Sequence, residues 1–119
     1  MELRCVIVDD DEEFLKVARA LLERDGVTVA GVAHNSAEAV ERTQALRPDF
    51  VLVDIRLGRE SGFEAARRLA DNGNLAAMIM ISAHADEDYV ELIAESPATG
   101  FLPKTELSAA AIRRILETG

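Results

Sequence analysis

A doubly wound α/β fold, with a five-stranded parallel sheet covered by helices on both faces, is the architecture this sequence predicts. Three observations carry that prediction. Short apolar runs alternate five times with helix-period segments; the runs lack polar alternation, as strands buried on both sides do; and no repeat or Pro/Gly-rich linker breaks the pattern. The 119 residues are enough for one domain and not comfortably for two, so a single domain over 1–119 is expected, with no output domain in this chain.

Leu3 to Val8 is a β-branched apolar run that stops at Asp9. Phe14, Val17, Ala18, Leu21 and Leu22 then recur at one face of a helix. Asp11 stands at its N-cap position, Glu12 and Glu13 complement its first turn, and Gly26 suits its end. Val27 to Ala33 reads as the second strand. The second helix runs from Asn35 to Leu46, with Asn35 and Glu38 spaced as a capping box and Pro48 beyond its end.

Phe50 to Val53 is a strand ending at Asp54, and Ser61 with Glu64 forms another capping-box pair opening a helix to about Ala70. Ala76 to Ile81 ends at Ser82. A fourth helix is expected from Asp86 to about Glu95, with Tyr89, Leu92 and Ile93 inward. Gly100 to Leu102 precedes Pro103 and Lys104, and the last helix spans about Glu106 to Glu117, burying Leu107, Ala111, Ile112, Ile115 and Leu116. Right-handed crossovers leave few ways to order five such units. The flavodoxin-like (βα)5 arrangement, strand order 2-1-3-4-5, is the expected one.

Composition narrows the function. Thirteen basic against 22 acidic residues give a net charge of −9, which disfavours a nucleic-acid surface. No apolar run approaches the ~18 residues of a membrane span, and no signal segment opens the chain. The one cysteine, Cys5, excludes a disulfide scaffold, reads as inert core and fits a cytoplasmic location. Two histidines and one cysteine offer little for zinc.

In an open α/β sheet, ligands bind beyond the carboxyl ends of the strands, at the switch in strand order. Asp9 and Asp10 follow the first strand, Asp54 ends the third, Ser82 the fourth, and Lys104 follows the fifth. Three carboxylates therefore converge, which is unfavourable unless a cation neutralises them. Oxygen-only ligands suit Mg2+. With it bound, one carboxylate could attack a phosphoryl group while Lys104 and Ser82 meet the phosphoryl oxygens.

This set, Val8-Asp9-Asp10, Asp54, Ser82 and Phe101-x-x-Lys104, resembles the receiver domain of two-component response regulators over Leu3 to about Leu116. The resemblance implies a phosphoacceptor switch in which Asp54 takes a phosphoryl group from a histidine kinase or histidine phosphotransfer protein. It implies an Mg2+ cofactor, with Mn2+ as a substitute, held directly by Asp10, mainly through water by Asp9, by Asp54 and by the backbone carbonyl of Arg56. Ser82 stands at the family's switch hydroxyl, Ala83 at the small residue beside the phosphoryl path, and Phe101 at the switch aromatic. Phosphorylation would then alter the surface of the fourth helix, fifth strand and fifth helix, where a second copy or a downstream effector would dock. Such a domain catalyses its own phosphotransfer and slow autodephosphorylation and is not otherwise an enzyme.

Two positions depart from the family pattern. Gly58 stands where a proline is frequent, so a looser loop from Leu57 to Gly62 is expected, and Thr105 follows Lys104 where family members often have a cis proline. His84, two positions past Ser82, is a candidate neighbour of the phosphoryl group, whereas His34 reads as a surface residue. Asp86, Glu87, Asp88, Glu91 and Glu95 make the fourth helix acidic, either a solubilising face or a contact for a basic partner such as Arg113 and Arg114 of a second copy.

The alternative reading is an aspartate-nucleophile phosphohydrolase of the haloacid-dehalogenase type, built on Asp9-x-Asp11, Ser82 and a lysine. It gives Asp54 no role. A flavodoxin-like small-molecule binder is set aside, because acids occupy the place after the first strand where a flavin phosphate would sit.

Overall fold

The computed structural model describes residues 2–84 and 88–118. The strands are β1 (Arg4–Val8), β2 (Thr28–Ala33), β3 (Phe50–Asp54), β4 (Ala77–Ser82) and β5 (Gly100–Pro103). The helices are α1 (Glu12–Arg24), α2 (Ser36–Leu46), α3 (Gly62–Asp71), α4 (Val90–Glu95) and α5 (Ala109–Thr118). All five strands pair in parallel, in the expected order β2-β1-β3-β4-β5.

The pleat sends successive side chains to opposite faces, so a covered strand must be apolar at every position. Cys5 and Ile7, Phe50 and Leu52, Ile79 and Ile81 fill one core with Leu15, Ala18 and Leu22 of α1 and Ile112 of α5. The intervening Val6, Val8, Val51, Val53, Met78 and Met80 fill a second, against Ala39 of α2, Phe63, Ala66 and Leu69 of α3, and Tyr89. Burial pushes the Cys5 thiol up to about 12, so it is inert packing.

Three helices differ in detail from their sequence patterns. On α1 it is Leu15, not Val17, that joins Ala18 and Leu22 in the core; Val17 is 60% exposed. One residue before Ala18, Val17 is turned about 100° from it around the helix. α4 begins only at Val90, with Asp88 and the N-cap Tyr89 outside the helix, shorter than the expected span from Asp86; Asp86 and Glu87 lie outside the described residues. Tyr89 is buried and Ile93 half-buried as expected, but Leu92 faces outward. The chain after β5 first makes a 3-10 turn at Lys104–Glu106, so α5 begins at Ala109, with Ser108 accepting from the Ala111 N–H at 3.0 Å. Of the residues expected inward there, Leu107 and Ile112 are buried and Ala111, Ile115 and Leu116 are half-buried.

Asp11 caps α1 as expected, accepting from the N–H groups of Glu13 and Phe14. Asn35 caps α2 through the Glu38 N–H at 2.9 Å, but Glu38 returns its bond to His34 N–H rather than to Asn35. Ser61 caps α3 by accepting from Phe63 rather than Glu64. His34 itself joins two helices: its Nδ1 lies 2.8 Å from Glu38, and its Nε2 pairs with Glu12 at the head of α1. These contacts, Glu38 foremost, hold the His34 pKa above its ordinary value.

Between β3 and α3 the expected loose loop is instead a short antiparallel hairpin, Arg56–Leu57 against Glu60–Ser61, turning at Gly58 with φ +62°. Glu60 fastens it to α2, accepting from the N–H and the hydroxyl of the buried Ser36, whose hydroxyl also accepts from Arg68 of α3 at 2.6 Å. The hairpin delivers Gly62 against the end of β3. A Cβ on Gly62 would lie 2.0 Å from the Asp54 carbonyl oxygen.

Gly62→Ala should therefore cost about 2 kcal/mol or more of stability in urea unfolding; a loss under about 0.5 kcal/mol would show that the backbone yields freely. His34 contributes stability that is fully present below its unfolded pKa of about 6.5 and lost as pH rises through the higher folded value. The stability difference between the protein and His34→Gln should accordingly be largest just below pH ~6.5, while Glu38 and Glu12 are still ionised, shrink in stronger acid as they protonate, and vanish in alkali, as read by denaturation across pH.

Candidate functional site

Strand register builds the site. Val8 pairs with Val53, so Asp9 and Asp54 emerge side by side; Asp54 pairs with Ile81, one residue before Ser82; and Ser82 pairs with Pro103, one residue before Lys104. Polar residues that are up to 95 positions apart in the chain thus meet along one sheet edge.

The ammonium of Lys104 lies 2.7 Å from Asp9 Oδ2 and 3.2 Å from Asp54 Oδ2. Asp9 is fully buried and Asp54 nearly so, whereas Asp10 is exposed. The three carboxylates offer oxygens all within 4.8 Å of one another. The backbone supports them: Asp11 N–H donates to Asp9 Oδ1 at 2.9 Å, and Arg56 N–H donates to Asp54 Oδ1 at 3.2 Å. Gly58 leaves room for Asp10, since a Cβ there would lie 3.1 Å from its Oδ2.

Burial pushes the Asp9 carboxyl up to about 6, with the Asp54 charge adding to the rise and the Lys104 and Asp11 contacts opposing it. For Lys104, burial works against the charged form, but the Asp9 and Asp54 carboxylates outweigh it and its pKa is raised. The site thus holds more negative charge than its one ammonium neutralises. Its donors are all oxygens, the chemistry that suits a hard divalent cation.

Ser82 is buried at the end of β4, its Oγ accepting from the His84 N–H at 2.9 Å, with Ala83 exposed between them. Phe101 sits lower on β5, level with Met80 and half-buried, its ring 6.0 Å from Tyr89, which in turn lies 6.3 Å from Phe63. The bond after Lys104 is trans, and none of the described peptide bonds is cis.

Three residues around this site escape the sequence reading. Gly62 could have been suspected, because glycine is a poor opener of a helix interior unless something approaches closely. Glu60 left no signal, since a glutamate in a polar turn reads as solvated. Phe14 fits an amphipathic stripe, yet its ring centroid lies 4.2 Å from the Lys104 ammonium.

Comparisons with known proteins agree with this geometry. The family model described as "Response regulator receiver domain" matches residues 5–117. Among curated relatives, the transcriptional regulatory protein PdtaR of Mycobacterium tuberculosis is 29% identical over 102 residues, covering 85% of this chain and 49% of PdtaR. DegU of Brevibacillus brevis is 31% identical over 112 residues, covering 93% of this chain and 47% of its own. The chain thus spans about half the length of these relatives. The solved signal receiver domain of a modulated diguanylate cyclase from Desulfovibrio desulfuricans G20 superposes with TM-score 0.81 at 34% identity, covering 99% of this chain and 93% of that one. The receiver domain of NarL from M. tuberculosis gives TM-score 0.83 at 27% identity, covering 98% and 95%. Nothing in these comparisons supports the phosphohydrolase alternative. With its sheet order, its clustered aspartates and a family match over nearly its whole length, this chain belongs to the receiver domains of two-component response regulators.

Proposed function

We propose that Asp54 is the phosphoacceptor and that this chain is a switch set by its phosphorylation. A carboxylate oxygen of Asp54 bonds to phosphorus as the bond from phosphorus to a kinase or phosphotransfer imidazole breaks, and the imidazole leaves with a proton. The observation that carries the reading is the Lys104 ammonium, 2.7 Å from Asp9 and 3.2 Å from Asp54. A positive charge already seated there can follow charge onto the phosphoryl oxygens with little rearrangement.

The residues fit a divalent cation by donor type and spacing. Asp9, Asp10, Asp54 and the backbone carbonyl of Arg56 would hold Mg2+, or Mn2+ in its place. When bound, the ion supplies the positive charge that lets an anionic nucleophile meet an anionic phosphoryl group. Asp9 serves that purpose ionised and fully buried, where its charge is felt most strongly.

The remaining roles follow from position. Ser82 donates its hydroxyl to a phosphoryl oxygen while its Oγ keeps the His84 N–H, and the exposed Ala83 leaves the approach open. Movement of Ser82 biases Phe101 and its ring neighbour Tyr89, and so the outer surface of α4, β5 and α5. A second copy or an effector reads that surface, and Asp88 before α4 with Glu91 and Glu95 on it favour a basic one. Phosphate is lost by slow autodephosphorylation, with His84 beside the leaving oxygen. A cytoplasmic location goes with this reading. No helix among the described residues is long and apolar enough to cross a membrane.

Incubation with Mg2+ and acetyl phosphate should add one phosphoryl group to the protein and none to Asp54→Asn, as read by intact mass. Phosphate appearing on Asp54→Asn but not on Asp9→Asn would establish the hydrolase reading instead. Millimolar Mg2+ should raise the melting temperature of the protein by ligand linkage, and Asp10→Asn should weaken that response by about tenfold in Mg2+ concentration or more; an unchanged response would remove Asp10 from the cation site.

A further inference from the structure

We propose that Phe14 is a positioning residue for Lys104, its ring forming the fourth wall of the phosphoryl site. The inference rests on the reading of Lys104 as the phosphoryl-binding cation given above. It adds a residue outside the set of acids, hydroxyl and lysine.

An ammonium has three N–H donors and is strongly hydrated on a flexible stem. Lys104 has given up most of that water: its side chain is only 12% exposed. Two of its sides face Asp9 and Asp54, and the Phe14 centroid covers another at 4.2 Å. The ring face carries the negative end of the aromatic quadrupole, so it replaces lost water with attraction that has no proton to exchange and no charge to repel phosphate.

Location strengthens the case. Phe14 is the one aromatic residue of α1, whose buried neighbours Leu15, Ala18 and Leu22 are aliphatic or small. Phe63, Tyr89 and Phe101 belong to the other core, and Phe50 lies within the sheet. An aliphatic side chain would fill the same half-buried space on the flank of the helix, so packing alone does not call for a ring.

The consequence is mechanical. Lys104 leaves β5 and must reach past β4 to Asp54 and on to Asp9 beside β1. When its hydrogen bonds turn from carboxylates to phosphoryl oxygens, the ring contact persists, so the ammonium pivots on Phe14 and does not drift into solvent.

The test uses the whole chain with Mg2+ and acetyl phosphate, following phosphorylation of Asp54 by mass. Phe14→Leu should slow the reaction roughly three- to tenfold, while Phe14→Tyr stays within about twofold. Phenylalanines carrying one, two and three fluorines at position 14 should slow it stepwise, because fluorine drains the ring face while barely changing its shape. In a Lys104→Gln background these changes should have no further effect. Rates indifferent to fluorination, or the same loss in that background, would overturn the proposal, even if Phe14→Leu proved too unstable to assay. Phosphate found elsewhere than on Asp54 in the unmodified protein would instead overturn the functional reading beneath it.

Discussion

Three carboxylates crowded at one sheet edge, with a single ammonium between two of them, set the terms for the rest of this molecule. Burial raises the Asp9 pKa most, and the neighbouring Asp54 charge adds to that rise. Such an arrangement persists only where the surrounding framework is stable enough to impose it. Here the framework is the central pair of strands, β1 and β3, fully buried from Cys5 to Val8 and from Phe50 to Val53. The two cores are therefore what allow the site to be so poorly neutralised in the resting state. That excess of negative charge is of the kind a divalent cation offsets.

Around the acids, the backbone carries much of the positioning. Asp9 and Asp54 each accept an N–H from the residue two positions on, which fixes one oxygen of each carboxylate and leaves the other toward Lys104. Gly62 lets α3 begin directly against the Asp54 carbonyl, and Glu60 ties the intervening hairpin to Ser36 and, through that hydroxyl, to Arg68. The segment following Asp54 is thus held at both ends, with glycine and not proline at position 58.

The two faces of the sheet divide the labour. Lys104 and Phe14 lie toward the core under α1 and α5, while Phe63, Tyr89 and Phe101 make a run of tilted rings on the other. Ser82 lies between them, at the end of the strand that separates the acids from β5.

Much of this was legible from residue order. Alternating apolar runs and helical stripes specify five strand–helix units, and burial on both faces explains why each run is apolar throughout. Asp9, Asp10, Asp54, Ser82 and Lys104 could be picked out because each stands where a strand ends, and parallel topology gathers those ends at one edge. What the linear chain could not supply was anything depending on rotation or on close approach. Val17 and Leu92 fit the helical period yet face solvent, since a stripe does not say which of its flanks meets the sheet. The hairpin at Gly58 and the collision that reserves position 62 for glycine depend on close approach, while the Glu60–Ser36–Arg68 bonds and the ring beneath Lys104 also join groups distant in sequence. Periodicity and end residues are local properties and survive in one dimension. Register, rotation and contact exist only once two cores have closed on the sheet.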